Sequence, residues 1–302
     1  MKIGFIGLGR MGQLVVEKLV EGGIEVVVYN RTKDITNKFS SRIANPILEP
    51  AYNLKEFIQK LGSPRIIFIM VKAGRPVSQM LEGLLWEGLG KGDIVVDLGN
   101  SYFRDSARRS KNLKDKGIYY LDIGTSGGIK GAQNGFSFMV GGEKGAFEII
   151  SPLLEILAKP NGSFDYFGKS GSGHFVKIVH NGIEYGMLES IAEGFSMLHS
   201  RGEYDIELIK AAKVWSKGSI VRGYLMDLMK IALEKDPSLN SIEGVAGGGE
   251  TGEWALKTAH ELGLEVPVIE DSVNERKKTT TKPTFTGKVI AALRLEFGGH
   301  KV

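Results

Sequence analysis

Five residues near the middle of the chain, Lys177, His180, Asn181, Glu184 and Tyr185, fall at i, i+3, i+4, i+7 and i+8, the spacing of one helix face. An amine, an imidazole, an amide, a carboxyl and a phenol share that stripe. Ile178, Val179, Gly182, Ile183 and Gly186 stand between them, so the rest of the helix is expected to be buried. A buried amine and a buried carboxyl two turns apart are expected to shift in opposite directions, the lysine down and the glutamate up. That pairing is what a base and an acid working on one substrate require. Taken alone, however, the stripe fits an interhelical Lys–Glu ion pair with a packed histidine better than it fits catalysis.

The elements around the stripe have to decide. At 302 residues the chain is long enough for two hydrophobic cores. Its 42% hydrophobic and 25% charged residues are ordinary for a globular enzyme. The longest apolar run, IIFIMV, suits a buried strand and not a membrane span, and the glycines and Arg10 of MKIGFIGLGRMG break any signal-peptide core. With no cysteine there is no disulfide and no thiolate zinc site, which fits a reducing, cytoplasmic setting. Five histidines form no ligand cluster, so no metal is expected. A net charge of +4 spread along the chain points to a small anionic ligand, not to nucleic acid or a membrane surface.

Strands and helices alternate through the first half. KIGFI, EVVVY, RIIFIMV, DIVVDLG and GIYYLDI read as strands with helical stretches between them, the pattern of a parallel sheet flanked by helices. Past about residue 167 the strands stop, and helices broken at Gly and Pro follow. The expected architecture is α/β, with an N-terminal Rossmann-like dinucleotide-binding domain over 1–170 and an all-α C-terminal domain over 171–302. ERKKTTTKPTFTGK reads as a flexible loop before a last helix. Arg104, Arg108 and Arg109 read as a solvated basic face. Trp86, Trp215 and Trp254 read as core or interface, and His199 and His260 as surface or packing residues.

The sharpest local signal is GLGRMG, which puts Gly7, Gly9 and Gly12 in G-x-G-x-x-G spacing directly after the first strand and at the start of a helix. In that setting the glycines permit a tight turn, the close approach of a pyrophosphate and helix–strand packing. Leu8, Arg10 and Met11 fall in the same loop as further cofactor contacts, although packing explains Met11 equally well. The second strand ends in Asn30, Arg31 and Thr32 where an NAD enzyme commonly has an acid for the ribose hydroxyls. A guanidinium there suits a 2′-phosphate, so NADP is expected, with NAD possible. Val71, Lys72 and Ala73, and then Asn100, close two further strands where α/β ligand sites lie.

GLGRMG, NRT, VKAG, DIGTSGGIKGAQNGFSFMVGG, GHFVKIVHNGIEYGM and GKVIAALRLEFGGH together resemble the decarboxylating 6-phosphogluconate dehydrogenase family, in its short form. The resemblance implies that Lys177 is the general base and Glu184 the general acid. It implies substrate contacts at Asn100, Ser126, Gly127, Gly128, His180, Asn181, Tyr185, Arg276, Arg294 and His300. The implied activity is oxidation of 6-phosphogluconate to ribulose 5-phosphate and CO2 with reduction of NAD(P)+. The lysine takes the hydroxyl proton, and its ammonium then stabilises the enolate left by CO2. The glutamate returns a proton to carbon.

One departure stands out: the family's long form carries a substrate-binding lysine where GGGETGEW puts Gly249, while Thr251 and Trp254 persist. The implied partner is a phosphosugar acid. The implied assembly is a homodimer or homotetramer in which the RLEFGGH tail, capped at Gly298-Gly299, reaches a neighbouring subunit's site. Two other readings stay open: a non-decarboxylating β-hydroxyacid dehydrogenase of the 3-hydroxyisobutyrate type, and a non-catalytic nucleotide sensor.

Overall fold

A computed structural model describes residues 1–299 apart from 201 and 248. The chain forms two compact units, Met1–Lys177 and the part from Ile178 on. The first unit runs β1 (Lys2–Ile6), α1 (Arg10–Glu21), β2 (Glu25–Tyr29), α2 (Lys33–Ile43), β3 (Leu48–Ala51), α3 (Leu54–Gln59), β4 (Ile66–Ile69), α4 (Arg75–Trp86), β5 (Ile94–Asp97) and α5 (Phe103–Lys114). It continues through β6 (Tyr119–Ser126), α6 (Gly131–Asn134), β7 (Ser137–Gly141), α7 (Lys144–Ala158) and β8 (Phe164–Gly168) to the start of a long helix, α8 (Ser172–Ser200).

The sheet order is β3-β2-β1-β4-β5-β6-β7-β8. Every pairing is parallel except β6 with β7. Period-two alternation sorts its apolar residues onto two faces. Phe5, Val28, Phe68 and Val96 pack with Val15 and Leu19 of α1 and Leu153 of α7. Ile6, Val27, Ile67 and Val95 pack with Phe57 of α3, Leu81 of α4 and Leu113 of α5. Burial on both faces explains why these strands read as continuous apolar runs.

Three strands carry no such signal in the sequence. In β3 (LEPA), Pro50 removes a ladder donor and is tolerated because the strand lies at the sheet edge. The opposite edge strand, β8, has exposed Asp165 and Phe167 alternating with half-buried neighbours. The third, β7, pairs antiparallel with β6, the one reversal in the sheet among the described residues.

The second unit holds the rest of α8 together with α9 (Leu208–Trp215), α10 (Tyr224–Lys235), α11 (Glu250–Glu261), α12 (Pro267–Thr279) and α13 (Phe285–Gly298). Its core joins Leu188, Ala192 and Phe195 of α8 to Leu228, Met229 and Leu233 of α10 and Val289, Ile290 and Leu293 of α13. Among the described residues no helix is long and apolar enough to cross a membrane.

Three expectations are corrected and one is narrowed. Most of the stretch read as a flexible loop is helix, because its first five residues, from Glu275 to Thr279, complete α12, with Arg276 and Thr279 on its buried side, and its last four open α13. Trp86 is 89% exposed, which removes the core half of its core-or-interface reading. Arg109 is 4% exposed, since it shares the buried side of α5 with Ser106 and Leu113. Lastly, α8 is not buried all round: Val179, Ile183 and Met187 are 44%, 56% and 51% exposed. At i, i+4 and i+8 they make an apolar strip along one side.

Candidate active site

The glycine loop follows β1 as the spacing requires. Gly7 has φ +105, and a Cβ there would lie 2.3 Å from the Met70 carbonyl oxygen. A Cβ at Gly12 would lie 2.0 Å from the Gly7 oxygen, whereas one at Gly9 would meet nothing. Gly7 and Gly12 therefore close the turn onto β4 and α1, and exposed Gly9 and Arg10 leave open space at the α1 N-terminus, which has no side-chain cap. That is a cradle for an anionic phosphate. Leu8 is buried in the core and Met11 half-buried against it. The Asn30 side chain accepts from the Leu8 N–H at 3.1 Å and donates to the Thr32 carbonyl at 3.2 Å. Asn30 thus ties the loop to the end of β2, and exposed Arg31 and Thr32 are left to meet a ligand.

The neighbouring strand ends are braced by residues that were read only as surface or not singled out. Arg109 donates to the Gly74 carbonyl at 2.7 Å and to Ser78 Oγ at 3.3 Å, with Asp97 3.8 Å away. This fixes the turn after Val71, Lys72 and Ala73. Asp97 accepts from the Gly99 N–H at 3.0 Å, from Ser101 Oγ at 2.8 Å and from the Tyr120 hydroxyl at 2.7 Å, shaping the loop that carries exposed Asn100. Burial and the Asp97 carboxylate push the Tyr120 phenol well above its usual range, so it stays a donor. The Thr125 hydroxyl reaches the Leu98 carbonyl at 3.4 Å and links that loop to the Ser126-Gly127-Gly128 turn. There Gly127 and Gly128 take φ +120 and +55.

Lys177 is placed by glycine. A Cβ on Gly124 would lie 2.3 Å from Lys177 Cβ, and one on Gly173 would lie 2.2 Å from the Asp122 carbonyl oxygen. The first turns of α8 therefore lie directly on β6, two residues before Ser126, with Lys177 8% exposed. Asp122 caps the helix, accepting from the Gly171 N–H at 2.6 Å, the His174 N–H at 2.9 Å and Ser170 Oγ at 3.1 Å. Burial nevertheless raises the Asp122 carboxyl above its usual value.

The second unit gathers the remaining substrate candidates. Tyr185 is 5% exposed; its hydroxyl accepts from the Gly249 N–H at 2.9 Å and donates to the Gly249 carbonyl at 3.1 Å. A Cβ on Gly252 would lie 2.6 Å from the Tyr185 ring, so glycine lets α11 come this close. The Arg276 guanidinium lies 3.5 Å from the centre of that ring. Arg276 is 2% exposed, and its Nε and one Nη have no hydrogen-bond partner among the described residues. Arg294 donates to the Ala246 carbonyl, and Tyr185 and Glu184 both act on its charge. Burial lowers both guanidiniums from their usual range, and the Arg294 charge lowers Arg276 further. Arg294, which the resemblance places in a neighbouring subunit's site, thus has a hydrogen-bond partner within its own chain. His300 lies outside the described residues. The expected cap is found at Gly299, φ +59.

His180 Nδ1 lies 3.1 Å from Asn181 Oδ1. Asn181 is buried, but Glu184 is only half-buried. The deep burial expected there occurs five residues on, at Glu189, 6% exposed, whose carboxyl is lifted to about 7 chiefly by desolvation. The sequence reading missed Glu189 and Arg109, although Ser106–Arg109–Leu113 spacing marked Arg109 as inward-facing. Two further positions, Gly249 and Gly252, surround Tyr185 where the long form's lysine is missing.

Comparison with known proteins adds the lineage. A family described as the NAD binding domain of 6-phosphogluconate dehydrogenase matches residues 2–170, and one described as the 6-phosphogluconate dehydrogenase C-terminal domain matches residues 173–291. A Bacillus subtilis protein provisionally named a 6-phosphogluconate dehydrogenase is 43% identical, covering 99% of this chain and 98% of that one. The NAD(+)-dependent, decarboxylating 6-phosphogluconate dehydrogenase of Haloferax volcanii is 38% identical, covering 100% and 98%. The solved 6-phosphogluconate dehydrogenase of Plasmodium falciparum, described in complex with NADP+ and with 6-phosphogluconate, superposes with a TM-score of 0.86 at 33% identity, over 93% of this chain and 62% of that one.

Proposed function

The chain belongs to the 6-phosphogluconate dehydrogenase family, and on that premise we propose that it converts 6-phosphogluconate to ribulose 5-phosphate and CO2 while reducing NADP+, in the cytoplasm. Residues 1–170 serve the cofactor and residues 171–302 the substrate and self-assembly. The observation that carries the reading is the orphaned guanidinium of Arg276 stacked on Tyr185, a buried cation with unspent donors and Arg294 close enough to act on it. Two such guanidiniums suit a phosphate or carboxylate, which they can grip bidentately. They also compensate for the lysine missing at Gly249.

The residues of the glycine loop and Arg31 fit a dinucleotide, which when bound supplies the hydride acceptor. Lys177, as a neutral amine, accepts the substrate hydroxyl proton as hydride leaves the same carbon. Once CO2 has left, the Lys177 ammonium stabilises the enolate, and Glu184 protonates the carbon that lost its carboxylate. His180 and Asn181 orient the substrate by hydrogen bonds, and Ser126, Gly127, Gly128 and Asn100 hold its other end.

Lys177→Met is expected to abolish oxidation and leave cofactor affinity intact, and Glu184→Gln to cost about two orders of magnitude or more in turnover. Cofactor fluorescence titration alongside turnover reads both. Near-normal turnover in the lysine variant would overturn the assignment. The exposed strip of Val179, Ile183 and Met187 supports a homodimer or homotetramer in which a second copy covers it.

A further inference from the structure

Glu189 has no part in the chemistry above, and its place calls for one. It stands one helical turn beyond Tyr185 on α8, 6% exposed, with Oε2 buried and without a hydrogen-bond partner among the described residues. Across the Tyr185 ring on α12, Arg276 holds two buried donors in the same condition. Each acts on the other's charge, Arg276 favouring the ionised carboxyl and Glu189 the charged guanidinium, although burial outweighs both effects.

We propose that Glu189 is a positioning residue for Arg276, so that binding of a doubly charged anion at Arg276 is coupled to protonation of the Glu189 carboxyl. The coupling rests on the reading of Arg276 as the substrate-anion site. When Glu189 is ionised it offers Arg276 an internal negative charge that competes with the ligand's. When it is protonated, the guanidinium's charge is free for the ligand. The bound anion in turn repels the ionised carboxylate and draws a proton onto it, and by linkage the two effects are equal. The other charged groups acting on Glu189 are Glu193 on its own helix and Glu275 on α12, both acidic and both favouring the protonated form. Burial and these neighbours bring its carboxyl to about 7, where a small change in pH changes its charge.

The test uses sulfate, which stays doubly charged across the range, titrated into the whole protein at saturating NADP+ between about pH 6 and about pH 9. The wild-type dissociation constant is expected to rise about tenfold with pH through neutrality, with proton uptake on binding visible as a buffer-dependent calorimetric heat. In Glu189→Gln the constant should stay near the wild-type low-pH value throughout, and the proton uptake should vanish. A flat wild-type profile, or a Glu189→Gln profile that keeps the wild-type slope, overturns the coupling. Arg276→Gln reads the parent assignment separately. Unchanged sulfate affinity in that variant, with NADP+ binding intact, overturns the anion site itself. Lost affinity there with an unaltered slope in Glu189→Gln overturns only the coupling.

Discussion

At the scale of single residues, the proposed cofactor and substrate contacts differ in burial, Arg31 being exposed and Arg276 buried. Arg31 is exposed beside an asparagine already committed to the glycine loop, so its guanidinium is available to a 2′-phosphate. Arg31→Ala should weaken NADP+ binding by about 1.5–3 kcal/mol and leave NAD+ nearly unchanged, as read by titration of both cofactors. A wild type that already prefers NAD+ would contradict that role. Glu189 makes a stability prediction as well. Its folded pKa is raised from 4.5 to about 7, so the folded state binds the proton more tightly than the unfolded state. Stability is therefore lost as pH climbs from about 4.5 to about 7. Glu189→Gln should be the more stable protein at about pH 8, by on the order of 3 kcal/mol, with the gap closing near pH 4.5. Denaturant melts at the two pH values check this. Neither Glu189 nor Arg109 was legible as functional in the sequence, because each depends on which side of its helix meets a neighbour. The GLGRMG loop was legible because it follows a strand and opens a helix, whereas the Lys177 stripe took its proposed role from the family resemblance and not from its spacing.

At the scale of elements, the start of α8 is where sequence and packing meet. Gly124 and Gly173 let the helix touch β6 at backbone distance, and Asp122 caps it. Gly124→Ala forces a Cβ to within 2.3 Å of Lys177 Cβ, and the helix must shift. A cost of about 1–3 kcal/mol is expected. Turnover should fall by more than cofactor affinity does, since the glycine loop after β1 is untouched. Thermal melts with steady-state kinetics test it, and unaltered turnover would deny the contact its role. The buried strands β1, β2, β4, β5 and β6 were readable from their apolar runs. The edge strands β3 and β8 were not, because Pro50 and an alternating exposed face mimic loop. The end of α12 was hidden by its charges: Lys277 and Lys278 lie on the outer side of a helix whose Arg276 and Thr279 face inward.

At the scale of the whole molecule, the position of Arg294 sets an expectation for assembly. It donates to the Ala246 carbonyl of its own chain, and in the proposed oligomer the tail that carries it completes a neighbouring subunit's site. Mixing Arg294→Ala with Lys177→Met protein, after confirmed subunit exchange, should therefore restore partial activity. No recovery would put the arginine in its own chain's site instead. Ile183→Glu, which places a charge in the exposed strip of α8, should lower the sedimenting mass of an oligomer and leave the cofactor unit folded.

The central claim is that one site both oxidises and decarboxylates. Its most direct measurement is the ratio of CO2 released to nicotinamide reduced when the protein turns over 6-phosphogluconate with NADP+. One CO2 is expected for each reduced nucleotide, with ribulose 5-phosphate as the product. Reduction without CO2 would place the chain with the non-decarboxylating β-hydroxyacid dehydrogenases, and no reduction with either cofactor would contradict the enzyme reading altogether.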